Sequence, residues 1–297
     1  MIRFGTASWT DPTLLASGRF YPPSATSAAA RLAFYASQFS LVEVNASYYA
    51  IGDPMQAHRW VEGTPDPFRF HLKAFRLFTG HPTPVASLDN DIRRAIGAED
   101  GTRIFYTQTP PEIREELWRR FLESVEPLRM AGRLDAVHFQ FPPWIRPHTG
   151  GLRLANEAVR RLTDHPVSME WRHASWLTGS QRDATLAWQR EHRVIHTIVD
   201  SPSEVDNTVP AVWEVTHPEM ALVRMHGRNA AAWNAQTTAS SGRFNYEYSA
   251  AELACMAQHI RTIAARAKHT HVILNTNYQD QGMRNAAALR QAVGSLL

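Results

Sequence analysis

Period-two alternation recurs seven times along this chain, and no other feature restricts its fold as tightly. Val42, Val44 and Ala46 alternate with Glu43, Asn45 and Ser47. Phe68, Phe70 and Leu72 alternate with Arg69, His71 and Lys73; Val137, Phe139 and Phe141 alternate with His138 and Gln140. Val167, Met169 and Trp171 alternate with Ser168, Glu170 and Arg172. Further on, Ile195, Thr197 and Val199 alternate with His196, Ile198 and Asp200, and Ala221, Val223 and Met225 with Leu222, Arg224 and His226. Val272, Leu274 and Thr276 close the series against Ile273, Asn275 and Asn277. Alternation of this kind marks a β-strand whose two faces meet different surroundings. Most of these segments are separated by a helical stretch. The sheet must then meet helices on one face and something polar on the other, and a closed β/α barrel does both.

The spacing of the elements completes the count. Arg3 to Thr6 reads as a short first strand, and strands two to eight follow at 41–47, 68–74, 136–141, 167–172, 194–200, 221–226 and 271–277. Helices are expected at 25–39, 54–62, 112–130, 152–163, 181–192, 249–267 and 283–293. Ser249 with Glu252 forms a capping box, and proline stands in the first turn at Pro54. Between strands six and seven only a helical turn at 211–214 is expected. The pattern is lost from Gly80 to Gln108, so residues 80–110 read as a loop inserted after strand three over the barrel mouth. Asn229 to Phe244, rich in Ala, Ser, Thr and Asn, reads as a second mouth loop. No linker, charge block or low-complexity tract divides the 297 residues, and the expected architecture is a single α/β domain over 1–297, a TIM-type (β/α)8 barrel.

Composition removes several function classes. With 44% hydrophobic and 20% charged residues the chain can bury a sizeable core, which disfavours disorder. No apolar run approaches the roughly 18 residues of a membrane span, and the N-terminus lacks the apolar core of a signal peptide. The single cysteine, Cys255, excludes an intrachain disulfide and reads as a small core residue on a helix. The expectation is a cytoplasmic protein with no membrane partner. The net charge of +3 is mildly basic and does not by itself require nucleic acid, and the 14 histidines would add positive charge at mildly acidic pH.

In α/β barrels the active site lies at the C-terminal ends of the strands. The residues expected to point inward there are Glu43, Asn45, Lys73, Gln140, Glu170, Arg172, Asp200, Arg224, His226, Asn275 and Asn277. Buried charges cost several kcal/mol each unless paired, so a cluster of this size points to a ligand or a reaction as well as to barrel closure. Arg69, His138, His196 and His271 are expected lower in the barrel, as structural hydrogen-bonding groups. His173 and Arg228 follow strands five and seven, and Gly227 beside Arg228 would let the backbone approach a ligand. The aromatics Trp9, Tyr48, Tyr49, Trp144, Trp176 and Trp233 follow strands and could stack on a ring or pack under loops. No Walker, dinucleotide, HExxH, CxxC or GxSxG motif is present.

These segments resemble the family named domain of unknown function 72, also called YecE-like. The resemblance is carried in order by Gly-Thr-Ala-Ser-Trp-Thr at 5–10, Val-Glu-Val-Asn-Ala-Ser-Tyr-Tyr at 42–49, Phe-Arg-Phe-His-Leu-Lys-Ala at 68–74 and Phe-Gln-Phe-Pro-Pro at 139–143. Met-Glu-Trp-Arg-His-Ala-Ser-Trp at 169–176, Val-Asp-Ser-Pro at 199–202 and Val-Arg-Met-His-Gly-Arg-Asn at 223–229 continue it. It implies a TIM-type barrel in a soluble bacterial or archaeal protein, and no established reaction. The fold it implies is also distantly similar to xylose-isomerase and endonuclease-IV type metal barrels. There Glu170, Asp200 and His226 occupy comparable strands, but Asn275 stands where a carboxylate would be wanted and no histidine follows Asp200 three residues on.

The leading expectation is therefore an enzyme, a hydrolase of phosphoric ester bonds in class, acting on a small anionic or phosphorylated ligand or on nucleic acid. Lys73, Arg172, Arg224 and Arg228 would hold the anion, with Asn45, Gln140, His173, Asp200, Asn275 and Asn277 as further binding residues. Glu43 or Glu170 would act as general base and His226 as general acid. No cofactor is expected. The alternatives are a divalent-metal nuclease or isomerase using Glu43, Glu170, Asp200 and His226, and a non-catalytic nucleotide or nucleic-acid binding protein.

Overall fold

The computed structural model describes residues 1–99, 101–203, 205, 208–234 and 240–295. Eight parallel strands close a barrel in sequence order. They are β1 (Ile2–Thr6), β2 (Leu41–Val44), β3 (Arg69–Lys73), β4 (Leu134–Gln140), β5 (Val167–Glu170), β6 (Ile195–Asp200), β7 (Met220–Met225) and β8 (His269–Leu274). The main helices around them are α1 (Ala28–Gln38), α2 (Pro54–Glu62), α3 (Pro111–Met130), α4 (Thr149–Arg161), α5 (Gly179–Glu191), α6 (Ala250–Ala264) and α7 (Gln281–Gly294). Their starts follow local chemistry. Ser27 caps α1 and Asp53 caps α2 ahead of Pro54, and Ser249 and Glu252 make the expected capping box on α6. Among the described residues no helix is long and apolar enough to cross a membrane.

The two strand faces bury against different partners. Val42, Val44, Phe70, Leu72, Val137, Phe139, Met169, Val223, Met225, Val272 and Leu274 join the apolar faces of the helices in one core. Inside the barrel a smaller apolar cluster holds Ala7, Leu41, Ala136, Ile195, Met220, Leu222 and Ile273. The charged residues of the mouth stand above this plug.

In β6 the two faces are the reverse of the expectation. Ile195 pairs with Ser168, Thr197 with Leu222 and Val199 with Arg224, all inward residues, so Ile195, Thr197 and Val199 face the axis. His196, Ile198 and Asp200 face outward. The cause lies in the connection to β7. The expected helical turn at 211–214 is absent, and the chain is irregular there, with Glu214 N bonded to Val212 O at 2.9 Å and Val209 and Val212 buried. An irregular segment leaves free backbone groups that a helix would have used internally. His196 Nε2 reaches Val212 O at 3.2 Å, and Thr216 Oγ1 accepts from His196 N at 2.8 Å and donates to Val194 O at 2.7 Å.

Residues 80–110 are also more ordered than a loop. Thr83–Pro84 and Arg103–Ile104 pair antiparallel, and Asn90–Ile96 is helical. Val85, Leu88, Ile92, Ile104 and Tyr106 are buried in the main core. The Tyr106 hydroxyl donates to Glu157 of α4 at 2.6 Å and accepts from Trp118 of α3 at 2.8 Å. Arg120 of α3 pairs with Asp89 and Asp91. The segment therefore packs on outer helices, and of its residues His81 reaches the mouth. Asp100 lies outside the described residues, as do 235–239 of the second expected mouth loop, whose flanks form helical turns at Ala230–Trp233 and Ser240–Arg243. Cys255 is exposed rather than core, because Leu253, Met256, Ala257 and Ile260 fill the buried face of α6.

Candidate functional site

Five strands converge on one guanidinium. Arg224 projects inward from β7 and donates through Nη2 to Glu43 Oε1 of β2 at 2.7 Å and through Nη1 to Glu170 Oε2 of β5. Gln140 of β4 lies 3.5 Å from the same Nη1. Arg172, just past β5, donates to Glu170 Oε1 at 3.1 Å. Lys73 ends β3 beside them, with Nζ 4.7 Å from the centre of the Tyr48 ring and no salt bridge among the described residues. Glu43, Glu170 and Arg224 are buried, while Lys73 is partly exposed.

Electrostatics separates these groups by task. Burial would raise the Glu43 carboxyl, but Arg224, His138 and Lys73 outweigh it and hold it at about 2. Burial opposes ionisation of Glu170 too, and Arg224, His226 and His138 overcome it, so its pKa lies well below the usual value. Both stay ionised at neutral pH. Lys73 goes the other way: burial, then the nearby Arg224, bring its ammonium down to about 8.

His226 is fixed in one tautomer. Asn275 Nδ2 donates to His226 Nδ1 at 2.8 Å, which leaves the ring proton on Nε2, 3.2 Å and 3.3 Å from the two Glu170 oxygens. Burial lowers its pKa to about 4 against the pull of Glu170, so the ring is neutral with both nitrogens engaged. His138 sits closer to the site than expected, with Nδ1 2.9 Å from Ser168 Oγ and Nε2 3.6 Å from Glu170. His71 and His271 lie deeper, with His71 Nε2 2.8 Å from His271 Nδ1, and Arg69 pairs with Asp135 at 3.6 Å. Burial holds His71 at about 3 and His271 well below its ordinary value, so these rings do not add the positive charge that the histidine count suggested near pH 6.

Above the cluster opens a cavity of about 420 Å³. Lys73, Arg172 and Arg243 supply its cations, Tyr48, Trp144 and Trp233 its aromatic faces, and Asn45, Gln140, Asn275 and Asn277 its amides. Arg172 stacks over Trp233, its guanidinium carbon 5.2 Å from the ring centre. Asn45 is anchored to Ala7 O at 2.9 Å and Asn277 to Asp11 at 3.1 Å. His81 joins the wall, held by Thr79 at 2.8 Å, and burial with Lys73 keeps its pKa near 3.

Three expected binding residues stand elsewhere. Asp200, on the outer face of β6, accepts from Arg228 at 2.7 Å and from the Tyr248 hydroxyl at 2.5 Å. Arg228 also pairs with Glu252 at 3.2 Å. Gly227, at φ 80°, turns the chain outward after His226, and its N–H donates to Tyr248 at 2.9 Å. His173 caps the turn at Ala174–Trp176 through Ser175 N at 3.1 Å. Trp176 is core, stacked on Trp171 at 3.8 Å. The residues Glu43, Glu170, Asp200 and His226 are not brought together as one ligand set: Asp200 is on the far side of its strand and Arg224 stands between the two glutamates. Among the described residues no three His, Cys, Asp or Glu side chains are grouped to hold a metal ion. The sequence reading missed His81 and Arg243. Each lies in a stretch without periodicity, and only Gly-Arg-Phe at 242–244, a cation between a glycine and an aromatic, carried a local hint.

The chain is 28% identical to UPF0759 protein YunF of Bacillus subtilis over 280 residues, 93% of this chain and 89% of that protein. A DUF72 family protein of Enterococcus faecalis superposes with a TM-score of 0.79 at 26% identity, covering 99% of this chain and 96% of the other. A DUF72 family protein of Thermotoga maritima gives a TM-score of 0.77 at 22% identity over 99% of each chain, a likeness of fold. Residues 3–296 match the family described as protein of unknown function DUF72, and with the same barrel closed around its quoted motifs this chain belongs to that family.

Proposed function

We propose that the barrel mouth binds a small anionic molecule, with phosphate esters as the class its wall suits best, and acts on it by proton transfer. The observation that carries this reading is the wall of the cavity, where three cations and no carboxylate are found among the described residues. The two glutamates lie beneath, taken up by Arg224 and Arg172, which leaves Lys73 as surplus positive charge. An anion would neutralise that surplus in a partly desolvated place, where charge-assisted hydrogen bonds are strongest.

The roles differ from those expected of the residues alone. Glu43 and Glu170, held ionised, position Arg224, Arg172 and His226. His226 has no free nitrogen to offer a substrate. Lys73 faces the cavity, and an ammonium with a pKa of about 8 is mostly charged at neutral pH, so it can hold the anion and donate its proton as general acid. The amides of Asn45, Gln140, Asn275 and Asn277 would orient the ligand.

Calorimetric titration with inorganic phosphate, with chloride as control, tests the binding half. Phosphate at ~10–100 times its Kd should stabilise the fold by ~1–3 kcal/mol. Lys73→Met should lower that gain by ~1 kcal/mol, and a melting temperature flat across millimolar phosphate overturns the reading. An aryl phosphate monoester and diester test the catalytic half. Binding without turnover of either would leave a binding protein.

A further inference from the structure

A second cavity, of about 740 Å³, opens beside the cationic one and shares Asn45, Tyr49 and Asn277 with it. Its walls are different in kind. Trp9, Leu32, Val44, Ala46 and Trp60 make them largely apolar, between the loop after β1 and helices α1 and α2. We infer that the ligand of the mouth is an amphipathic anion whose apolar ring body lies in this second cavity while its charged group meets Lys73, Arg172 and Arg243. The inference rests on the anion reading above and narrows its substrate class.

The argument starts from contiguity. Asn45, Tyr49 and Asn277 line both cavities, so the two adjoin, and a molecule lying across these side chains would meet both. The size is in the range of ligand sites, ~300–1,000 Å³. Apolar surface gathered into a concave groove next to fixed charge needs a cover, and the cover nearest to hand is the rest of the bound molecule.

The walls point to a ring. Trp9 and Trp60 meet edge to face at 5.9 Å and 87°, and Trp60 is in turn stacked on Phe70 at 6.1 Å. This makes a rigid aromatic corner rather than a flexible lining, and such corners suit edge-to-face or offset contact with another ring. The indole N–H of Trp9 is buried and has no hydrogen-bond partner among the described residues. Ser8, on the same wall, holds φ at 129°, a region costly for any residue other than glycine. Two local bonds keep it there: Thr6 Oγ1 donates to Ser8 O at 2.8 Å, and Thr10 N donates to Ser8 Oγ at 3.1 Å. This strained residue lies outside any helix or strand, on the cavity wall.

Calorimetry with inorganic phosphate and 1-naphthyl phosphate tests the inference. The naphthyl ester should bind at least about tenfold tighter than inorganic phosphate, a difference of ~1.4 kcal/mol. Ala29→Trp, on the exposed first turn of α1, fills the cavity from outside; it should cut that advantage to below about threefold and leave phosphate affinity within about twofold. Ala28→Phe does the same from the neighbouring position and serves if the first variant folds poorly. Lys73→Met should weaken both ligands. Equal affinities for the two ligands, or a naphthyl advantage that survives both cavity-filling variants, overturn this inference while phosphate binding stands. Absence of phosphate binding overturns the anion reading itself and this inference with it.

Discussion

Arg224 and Arg228 stand four residues apart, and each is gripped by two carboxylates, yet they belong to different parts of the molecule. Arg224 lies inside the barrel between Glu43 and Glu170 with its side chain 1% exposed; Arg228 lies outside, between Asp200 and Glu252, 36% exposed. Glu43, Glu170 and Arg224 have left water and rely on one another, so losing one strands the others. In the outer network Arg228 keeps solvent contact and Asp200 has the Tyr248 hydroxyl as a second donor, so losing the arginine strands less charge. The inner network also carries the surplus cation and borders a cavity, whereas the outer one ties Tyr248 and α6 to the barrel wall. An arginine and two acids therefore say nothing of function by themselves. Surplus charge and an opening beside it do.

The largest expected effect tests the energetic side of that contrast. Arg224→Met leaves two buried carboxylates without a counter-ion and should cost about 3–5 kcal/mol in urea denaturation. A loss below about 1 kcal/mol would erase the distinction between the two networks.

Acid should come next. His226 has a folded pKa near 4 against an ordinary 6.5, so between those values the unfolded chain binds more protons than the folded one. The contribution of this ring should be level above pH 7 and fall as pH drops from 6.5 towards 4, by up to ~3 kcal/mol. Glu43 works in a lower window, its contribution complete above 4.5 and lost as pH falls through about 2. His226→Gln should make the fall between pH 6.5 and 4 shallower by this ring's share, with His71, His81 and His196 supplying the remainder, and an unchanged slope would place the titration elsewhere.

Lys73→Met sharpens the functional side. Phosphate affinity should fall about tenfold, ~1.4 kcal/mol. Because the folded pKa of Lys73 is lowered to about 8, the folded protein holds fewer protons than the unfolded chain from there to 10.5. Wild-type stability should therefore gain a rising component with pH across that window, and the variant should lack it. The smallest effect is expected at the outer network. Arg228→Met should cost ~1 kcal/mol or less and leave phosphate binding intact, and a loss of binding would return Arg228 to the site.

Much of the site was legible because its residues sit on strands. Glu43, Lys73, Gln140, Glu170, Arg172, Arg224, His226 and Asn275 were all read as inward and near the strand ends, and the structure brings them together. Their chemistry was less legible. That Asn275 fixes the tautomer of His226, or that Arg224 takes up both glutamates, depends on contacts between residues 49 and up to 181 positions apart. His81 and Arg243 were invisible because irregular segments carry no period.

Local pattern alone determined the barrel, its eight strands and the faces of most of them, since period two is a property of neighbouring residues and survives without knowledge of the fold. It could not orient β6. Strands of a parallel barrel are buried on both sides, so alternation separates two faces without saying which one meets the axis. The tertiary structure decided that: inward pairing with Ser168, Leu222 and Arg224 fixed one face. The irregular connection offered backbone to His196 where a helix would have offered none, while Arg228 and Tyr248 hold Asp200 on the outer face. Those partners lie 16 to 48 residues downstream, and folding alone brings them against the strand.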